Sequence, residues 1–331
     1  MSAKPRVLVA RMIFPDILDE LRRHFDVEVH TQEGPMPYAD LLEALKDKDG
    51  VHITTSEPID AALLDACPSL RAVCIMAVGY NNVDVAACTQ RGVLVTNTPD
   101  VLTETTADLG FVLMMAAARR ITESEHFLRA GKWKHWAYDM FTGPDVHGAT
   151  LGILGMGRIG QAVAKRGALG FDMKVIYHNR SRLEPGIEAS LNGAAWVTKD
   201  ELMKRSDHLV IVMPYSKETH HAIGAAELAL MKPTATLTNM ARGGIVDDAA
   251  LARALKAKKL FAAGLDVFEG EPQVHPDLLA CENVVLTPHI GSASVATRRR
   301  MAGLAAENLI AVLTGGAPLT AVNPQVLPLK L

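Results

Sequence analysis

Along the first hundred residues the hydrophobic pattern switches repeatedly between two periods. Short apolar runs of strand character occur at Arg6–Ala10, Val27–His30, Gly50–Thr55, Arg71–Met76 and Val93–Asn97. Between them Pro15–Phe25, Tyr38–Lys46 and Asn82–Arg91 read as helices. In the first of these Ile17, Leu18 and Leu21 are apolar, with charges between them. Strands alternating with helices predict a parallel sheet covered on both faces.

Val101–Ala130 breaks the rhythm. It is long, favours helix, lacks Pro and has Gly110 as its single internal glycine. The pattern predicts one continuous helix, buried or acting as a spine between two domains. An irregular stretch, Gly131–Gly148, follows; it carries Trp133, Trp136, Tyr138 and Phe141, unusual cargo for a solvated linker. From Thr150 a second α/β series begins, with strands expected at Leu151–Leu154, Lys174–His178, His208–Met213, Ala235–Asn239, Ala262–Val267 and Val284–Leu286. Met301–Leu313 reads as a last helix, stopped by Gly315-Gly316, and the tail from Pro318 to Leu331 has little periodicity. No solenoid-type repeat or low-complexity tract is present.

The chain has 331 residues, enough for about two domains at roughly 150 residues each. A hydrophobic fraction of 49% with 21% charged residues excludes disorder, collagen and coiled coil. Lys and Arg number 34 against 37 Asp and Glu, a net charge of −3, so no overall positive field attracts nucleic acid or an anionic membrane. The longest apolar run, Phe111–Ala118, is far short of the roughly 20 residues of a membrane span. The start, Met1-Ser2-Ala3-Lys4-Pro5-Arg6, lacks a signal-peptide pattern, and a cytosolic protein is expected. Cys67, Cys74, Cys88 and Cys281 form no CxxC pair or zinc spacing, as expected of reduced, partly buried thiols.

The sharpest motif is Gly155-Met156-Gly157-Arg158-Ile159-Gly160. GxGxxG alone is weak, but here an apolar strand precedes it and a helix, Gln161–Leu169, follows. Gly155 permits the tight turn, Gly157 the approach of a pyrophosphate, and Gly160 the packing of helix on strand. The helix start then offers N–H groups to an anion. NAD binding calls for an acid at the end of the next strand. Lys174–His178 ends instead in Asn179-Arg180-Ser181-Arg182, with Asp172 at its wrong end. Two guanidiniums and a hydroxyl suit a 2′-phosphate. NADPH is therefore the expected cofactor, with NADH as the lesser alternative.

Three polar signals follow strands of the second series: Arg242 in Asn239–Gly244, Glu271 in Asp266–Pro272 and His289 in Thr287–Ser292. A cation, a carboxylate and an imidazole at successive strand ends suit a ligand site of an open α/β sheet. The remaining histidines are not spaced as a metal site, and no metal is expected.

Five segments together, Val78–Asp84, Leu154–Gly160, Asn239–Gly243, Gly264–Pro272 and Thr287–Ser292, closely resemble the D-2-hydroxyacid dehydrogenase family. Within it the chain is most similar to glyoxylate/hydroxypyruvate reductases, including bacterial 2-ketogluconate reductases. The likeness covers essentially the whole chain. It implies an α/β protein with two Rossmann-like domains and parallel sheets. A flavodoxin-like substrate domain, 1–99 with 290–331, is interrupted by a dinucleotide-binding domain, 100–289. Composition alone would split the chain into two sequential halves.

The resemblance also implies roles. Backbone N–H groups around Val78 and Gly79 hold the carboxylate of a 2-keto acid, with Ser292 nearby. Arg242 binds carboxylate and carbonyl oxygen, His289 is the proton donor, and Glu271 orients it and favours its charged form. Thr106, Pro214, Met240, Ala241 and Gly291 join the glycine-rich loop around the dinucleotide, and Asp266 faces the nicotinamide carboxamide. A homodimer through the nucleotide domain is implied, with Trp136 reaching the neighbouring active site. A phosphite dehydrogenase would be expected to carry Lys near Val78-Gly79, where this chain reads Ile75-Met76-Ala77-Val78-Gly79. A phosphoglycerate dehydrogenase is expected to carry a regulatory extension that these 331 residues do not show, which disfavours that reading, although short forms exist. Corepressors that resemble the family and act through partners are the alternative; the lack of disordered tails and of a basic face argues against them.

Overall fold

The computed structural model describes residues 4–327, so the extreme termini, including Met1-Ser2-Ala3 and the end of the tail, lie outside the described residues. The chain forms two compact units. One runs to Leu102 and resumes at Ala293; the other is Thr103–Ser292.

The first unit is built on strands β1 (Arg6–Val9), β2 (Asp26–Val29), β3 (Gly50–Ile53), β4 (Ala72–Ile75) and β5 (Leu94–Thr96). They pair in parallel in the order β2-β1-β3-β4-β5. Strands β3, β4 and β5 are buried on both faces, as their largely apolar runs require, with His52 and Thr96 buried among them. The helix Val295–Leu313 packs on β3 and β4 and returns the end of the chain to this unit. It starts six residues before the expected Met301, because Ser294 caps it by accepting the Thr297 N–H. The polar run Thr297–Arg300 had concealed that first turn.

The helix expected over Asn82–Arg91 is shorter, Val85–Gln90. Asn82 is taken up elsewhere: its amide donates to the Thr54 and Glu57 carbonyls. Asp84 then caps the helix through the Ala87 N–H.

The second unit contains β6 (Thr150–Leu154), β7 (Lys174–His178), β8 (Ala195–Trp196), β9 (His208–Ile211), β10 (Thr236–Asn239), β11 (Ala262–Leu265) and β12 (Val284–Leu286). All pair in parallel, in the order β12-β11-β10-β9-β6-β7-β8. The chain moves outward from β6 to β8 and then returns to the other side of β6. The ends of β6 and β9 therefore form the switch point where open α/β sheets take ligands.

The continuous helix expected over Val101–Ala130 is two helices, Thr103–Ala118 and Ile121–Arg129. Arg120 breaks it with a left-handed backbone, φ 53°. Its guanidinium folds onto Glu123 at 2.5 and 2.8 Å and stacks over Phe141. These tertiary contacts outweigh local helix propensity, and no Pro or Gly announces the break. The first helix is core, packed on β10, β11 and the helix Arg158–Gly170. Beyond the second, Trp136 is 76% and Tyr138 83% exposed, so these two rings do not cover their own unit's core, whereas Phe141 packs on Phe127 and Val146 is buried.

Candidate active site

The glycine-rich loop joins β6 to the helix Arg158–Gly170 at the switch point. Gly155 has φ +102°, and a Cβ there would lie 2.5 Å from the Met213 nitrogen just beyond β9. At Gly160 a Cβ would come within 2.3 Å of the Gly155 carbonyl oxygen. Gly157, by contrast, faces open space, and it begins the helix without a side-chain cap. A cradle of bare backbone next to uncapped N–H groups fits a pyrophosphate, and a bulkier residue at Gly157 would fill it. Arg158 and Ile159 form the first turn.

Past β7 the four basic-tip residues part company. Asn179 Oδ1 accepts the Met156 N–H at 2.7 Å, so this residue braces the glycine-rich loop itself. Arg182 is committed to Glu188 at 2.7 and 2.9 Å. That carboxyl is held at about 2 by Arg182 and by the Tyr177 hydroxyl. The expected pair of guanidiniums is thus corrected to one: Arg180, exposed beside Ser181, remains. Sequence could not show this, because Glu188 reaches Arg182 only through the turn that follows.

Across the sheet, three adjacent strand ends converge. After β10, Asn239 pins the turn carrying Met240, Ala241 and Arg242 by accepting the Ala241 N–H and donating to the Arg242 carbonyl. At Gly243 a Cβ would sit 1.7 Å from the Phe268 carbonyl oxygen, so only glycine lets this turn meet the loop after β11. The Met240 side chain is buried, its sulfur 1.9 Å from where a Cβ of Gly110 would lie, so this turn is seated on Gly110. Burial draws the Arg242 guanidinium below its ordinary value, and the Glu271 charge opposes that shift.

The loop after β11 presents Glu271, whose Oε2 meets His289 Nδ1 at 2.7 Å and whose Oε1 accepts the Phe268 N–H at 2.9 Å. Burial raises the Glu271 carboxyl. The hydrogen bond and charge of His289, the Phe268 N–H and Arg242 outweigh that and hold it below its usual value. His289 lies on the loop after β12 with a left-handed backbone, φ 52°.

Asp266 supports that loop. It is 1% exposed and accepts the Thr287 hydroxyl and the Ile290 and Gly291 N–H groups, all between 2.7 and 2.8 Å. Its bonding shows a loop-anchoring function that motif reading missed. Thr106 and Asp266 both border Gly291 closely, so these three residues share one spot. Pro214 follows Met213 beside the switch point, and Ser292 follows Gly291.

On the first unit, Val78 and Gly79 follow β4. Asn97 donates to the Val78 carbonyl at 2.8 Å, and neither residue's N–H has an acceptor among the described residues. Such an open pair of donors can receive a carboxylate. Among the described residues no helix is long and apolar enough to cross a membrane.

Residues 111–291 match the family model described as "D-isomer specific 2-hydroxyacid dehydrogenase, NAD binding domain". The chain belongs to the D-isomer-specific 2-hydroxyacid dehydrogenase family. It is 49% identical to the glyoxylate reductase of Thermococcus onnurineus (strain NA1) over 99% of this chain and 98% of that one. Among solved structures, a glyoxylate reductase from Paecilomyes thermophila superposes with TM-score 0.87 at 35% identity, covering 98% of this chain and 100% of the other. An NADPH-dependent glyoxylate/hydroxypyruvate reductase of Sinorhizobium meliloti, solved with NADP and malonate, superposes with TM-score 0.84 at 36% identity over 97% of each chain.

Proposed function

We propose that the protein reduces a small 2-keto acid (glyoxylate, hydroxypyruvate or 2-ketogluconate) to the D-2-hydroxy acid, with NADPH preferred over NADH. The observation that carries this reading is the 2.7 Å pairing of Glu271 with His289, one strand end away from Arg242. A reduced nicotinamide, when bound, supplies the hydride.

The chain's own residues supply the rest. With Nδ1 engaged by Glu271, Nε2 is the His289 nitrogen left to carry a proton to the carbonyl oxygen. Arg242 stays protonated even when burial lowers its pKa, and it stabilises the charge that develops on that oxygen. The Val78 and Gly79 N–H groups take the substrate carboxylate, with Ser292 completing the substrate contacts. The glycine-rich loop, helped by Thr106, Pro214, Ala241 and Gly291, holds the dinucleotide. Asp266 keeps lone-pair capacity for the carboxamide beside the loop bonds it already makes. Arg180, with Ser181, receives the 2′-phosphate.

A homodimer through the second unit, with Trp136 reaching the partner's substrate, is supported by the exposure of Trp136, Ile121 and Leu128; light scattering of the purified chain tests it. The activity is tested by following NADPH absorbance on addition of each keto acid. Turnover with kcat/KM higher for NADPH than NADH is expected. Tight dinucleotide binding without turnover on any of the three would overturn the catalytic reading in favour of a corepressor-like role.

A further inference from the structure

The loop after β9 contains two adjacent histidines, His220 and His221, in no spacing that a metal motif uses. The fold brings them a third donor from far along the chain. Glu269, on the loop after β11, places its carboxylate beside the Nε2 atoms of both rings. One nitrogen from each imidazole and one Glu269 oxygen all lie within 4.8 Å of one another. His221 Nε2 is 2.9 Å from one carboxylate oxygen and His220 Nε2 is 3.9 Å from the other. The two rings stack, with centroids 3.9 Å apart at 21°.

The surroundings prepare these donors. The Tyr215 hydroxyl meets His220 Nδ1 at 3.2 Å, leaving Nε2 for another partner. This is the outer-shell arrangement that orients metal-bound imidazoles. Tyr215 and His220 are seated on Gly244, where a Cβ would come within 3.1 and 3.2 Å of them. The His221 backbone is left-handed, φ 50°, and its N–H is anchored on the Gly244 carbonyl at 2.7 Å. The Glu269 N–H is anchored on Asp248 at 3.0 Å. Beside the cluster lies a hollow lined by His221, Asp247, Asp248, Glu269, Gln273 and His275. Ala249, Val274 and Pro276 also line it, so the hollow offers the cluster open space on one side rather than further donors.

We propose that His220, His221 and Glu269 form a binding site for a divalent transition-metal ion of the zinc type. Two imidazoles and one carboxylate suit Zn2+ or Co2+ and not the all-oxygen preferences of Mg2+ and Ca2+. All three side chains are exposed, so small rotations can bring the donors to the roughly 2.0–2.2 Å that such ions require. The site is distinct from the Glu271–His289 pair although Glu269 shares its loop. A bound ion would tie the loop after β9 to the loop after β11.

The test is direct binding to the full chain, which keeps it independent of whether the keto-acid reading holds. Chelator-treated protein is titrated with Co2+, read by its visible d–d bands, and with Zn2+ by calorimetry. One saturable equivalent is expected, unaffected by millimolar Mg2+ or Ca2+. It should weaken at least tenfold in His220→Ala and in Glu269→Gln, and His220→Gln provides a second variant if the alanine does not fold. Thermal melts should rise with Zn2+ in the wild type only, since an ion bound to the native state alone stabilises it. No saturable equivalent, or undiminished binding in the folded variants, would overturn the site.

Discussion

The carboxylate of Glu271 spans two loops: one oxygen holds His289 Nδ1 at 2.7 Å and the other holds the Phe268 N–H of its own turn at 2.9 Å. The imidazole is thereby fixed by a group that is itself fixed. Because the Glu271 carboxyl is held below its usual value, it stays ionised and paired as pH falls, until pH passes through that lowered value.

Glu271→Gln keeps a hydrogen-bonding side chain but removes the charge. Losing a charge-assisted hydrogen bond costs about 1.5–3 kcal/mol, roughly ten- to a hundredfold. Steady-state kinetics should show that loss in kcat/KM for keto-acid reduction, with dinucleotide affinity unchanged. Wild-type kcat/KM from Glu271→Gln would remove Glu271 from the proton-transfer machinery.

His289→Ala should lower kcat by about 10²- to 10⁴-fold, the usual contribution of a positioned general acid. Arg242→Ala should harm both kcat and KM, because a group touching substrate in ground and transition states affects both. Near-normal turnover in His289→Ala would mean that water or another acid delivers the proton.

Arg180 and Arg182 should behave oppositely. Arg180→Ala should weaken NADPH about ten- to a hundredfold more than NADH, the scale of one charge-assisted phosphate contact. Arg182→Ala should leave that ratio unchanged, because its guanidinium serves Glu188. Fluorescence titration of both cofactors against both variants decides it; equal losses of NADPH and NADH in Arg180→Ala would sink the assignment.

Asp266→Ala would strip the acceptor from the Ile290 and Gly291 N–H groups and leave the Thr287 hydroxyl only the Leu265 carbonyl at 3.5 Å. Each orphaned buried group costs about 1–3 kcal/mol. Denaturant unfolding should show a loss of at least about 2 kcal/mol together with reduced turnover, since His289 sits on the loop that is released. Unchanged stability would show that other bonds hold that loop.

His52, fully buried in β3, is pulled down to about 4 by desolvation, with only partial relief from the Ala302 carbonyl. A depressed folded-state value means that the unfolded chain binds the proton first, so stability is complete above about pH 6.5 and declines as pH falls toward 4. Between pH 7 and 5 the wild type should lose about 2 kcal/mol more than His52→Leu. Parallel urea midpoints for the two proteins would show that some other group titrates.

Much of the molecule was legible in the chain itself. The βα alternation, the glycine-rich turn after β6 and the polar residues after β10, β11 and β12 follow from local rules. Apolar runs must be buried, a tight βα turn needs glycine, and side chains at strand ends face the ligand edge of a parallel sheet. The motif likeness added roles to Arg242, Glu271 and His289. What tertiary structure alone decided is which side chains use one another's atoms. Glu188 takes Arg182 out of the basic tip, Arg120 breaks a helix to reach Glu123 and Phe141, and Asp266 spends its oxygens on the His289 loop. Glu269 meets His220 and His221 across 49 and 48 positions of sequence. No periodicity carries such pairings, because they depend on where the turns and strand-end loops place each side chain once the chain has folded.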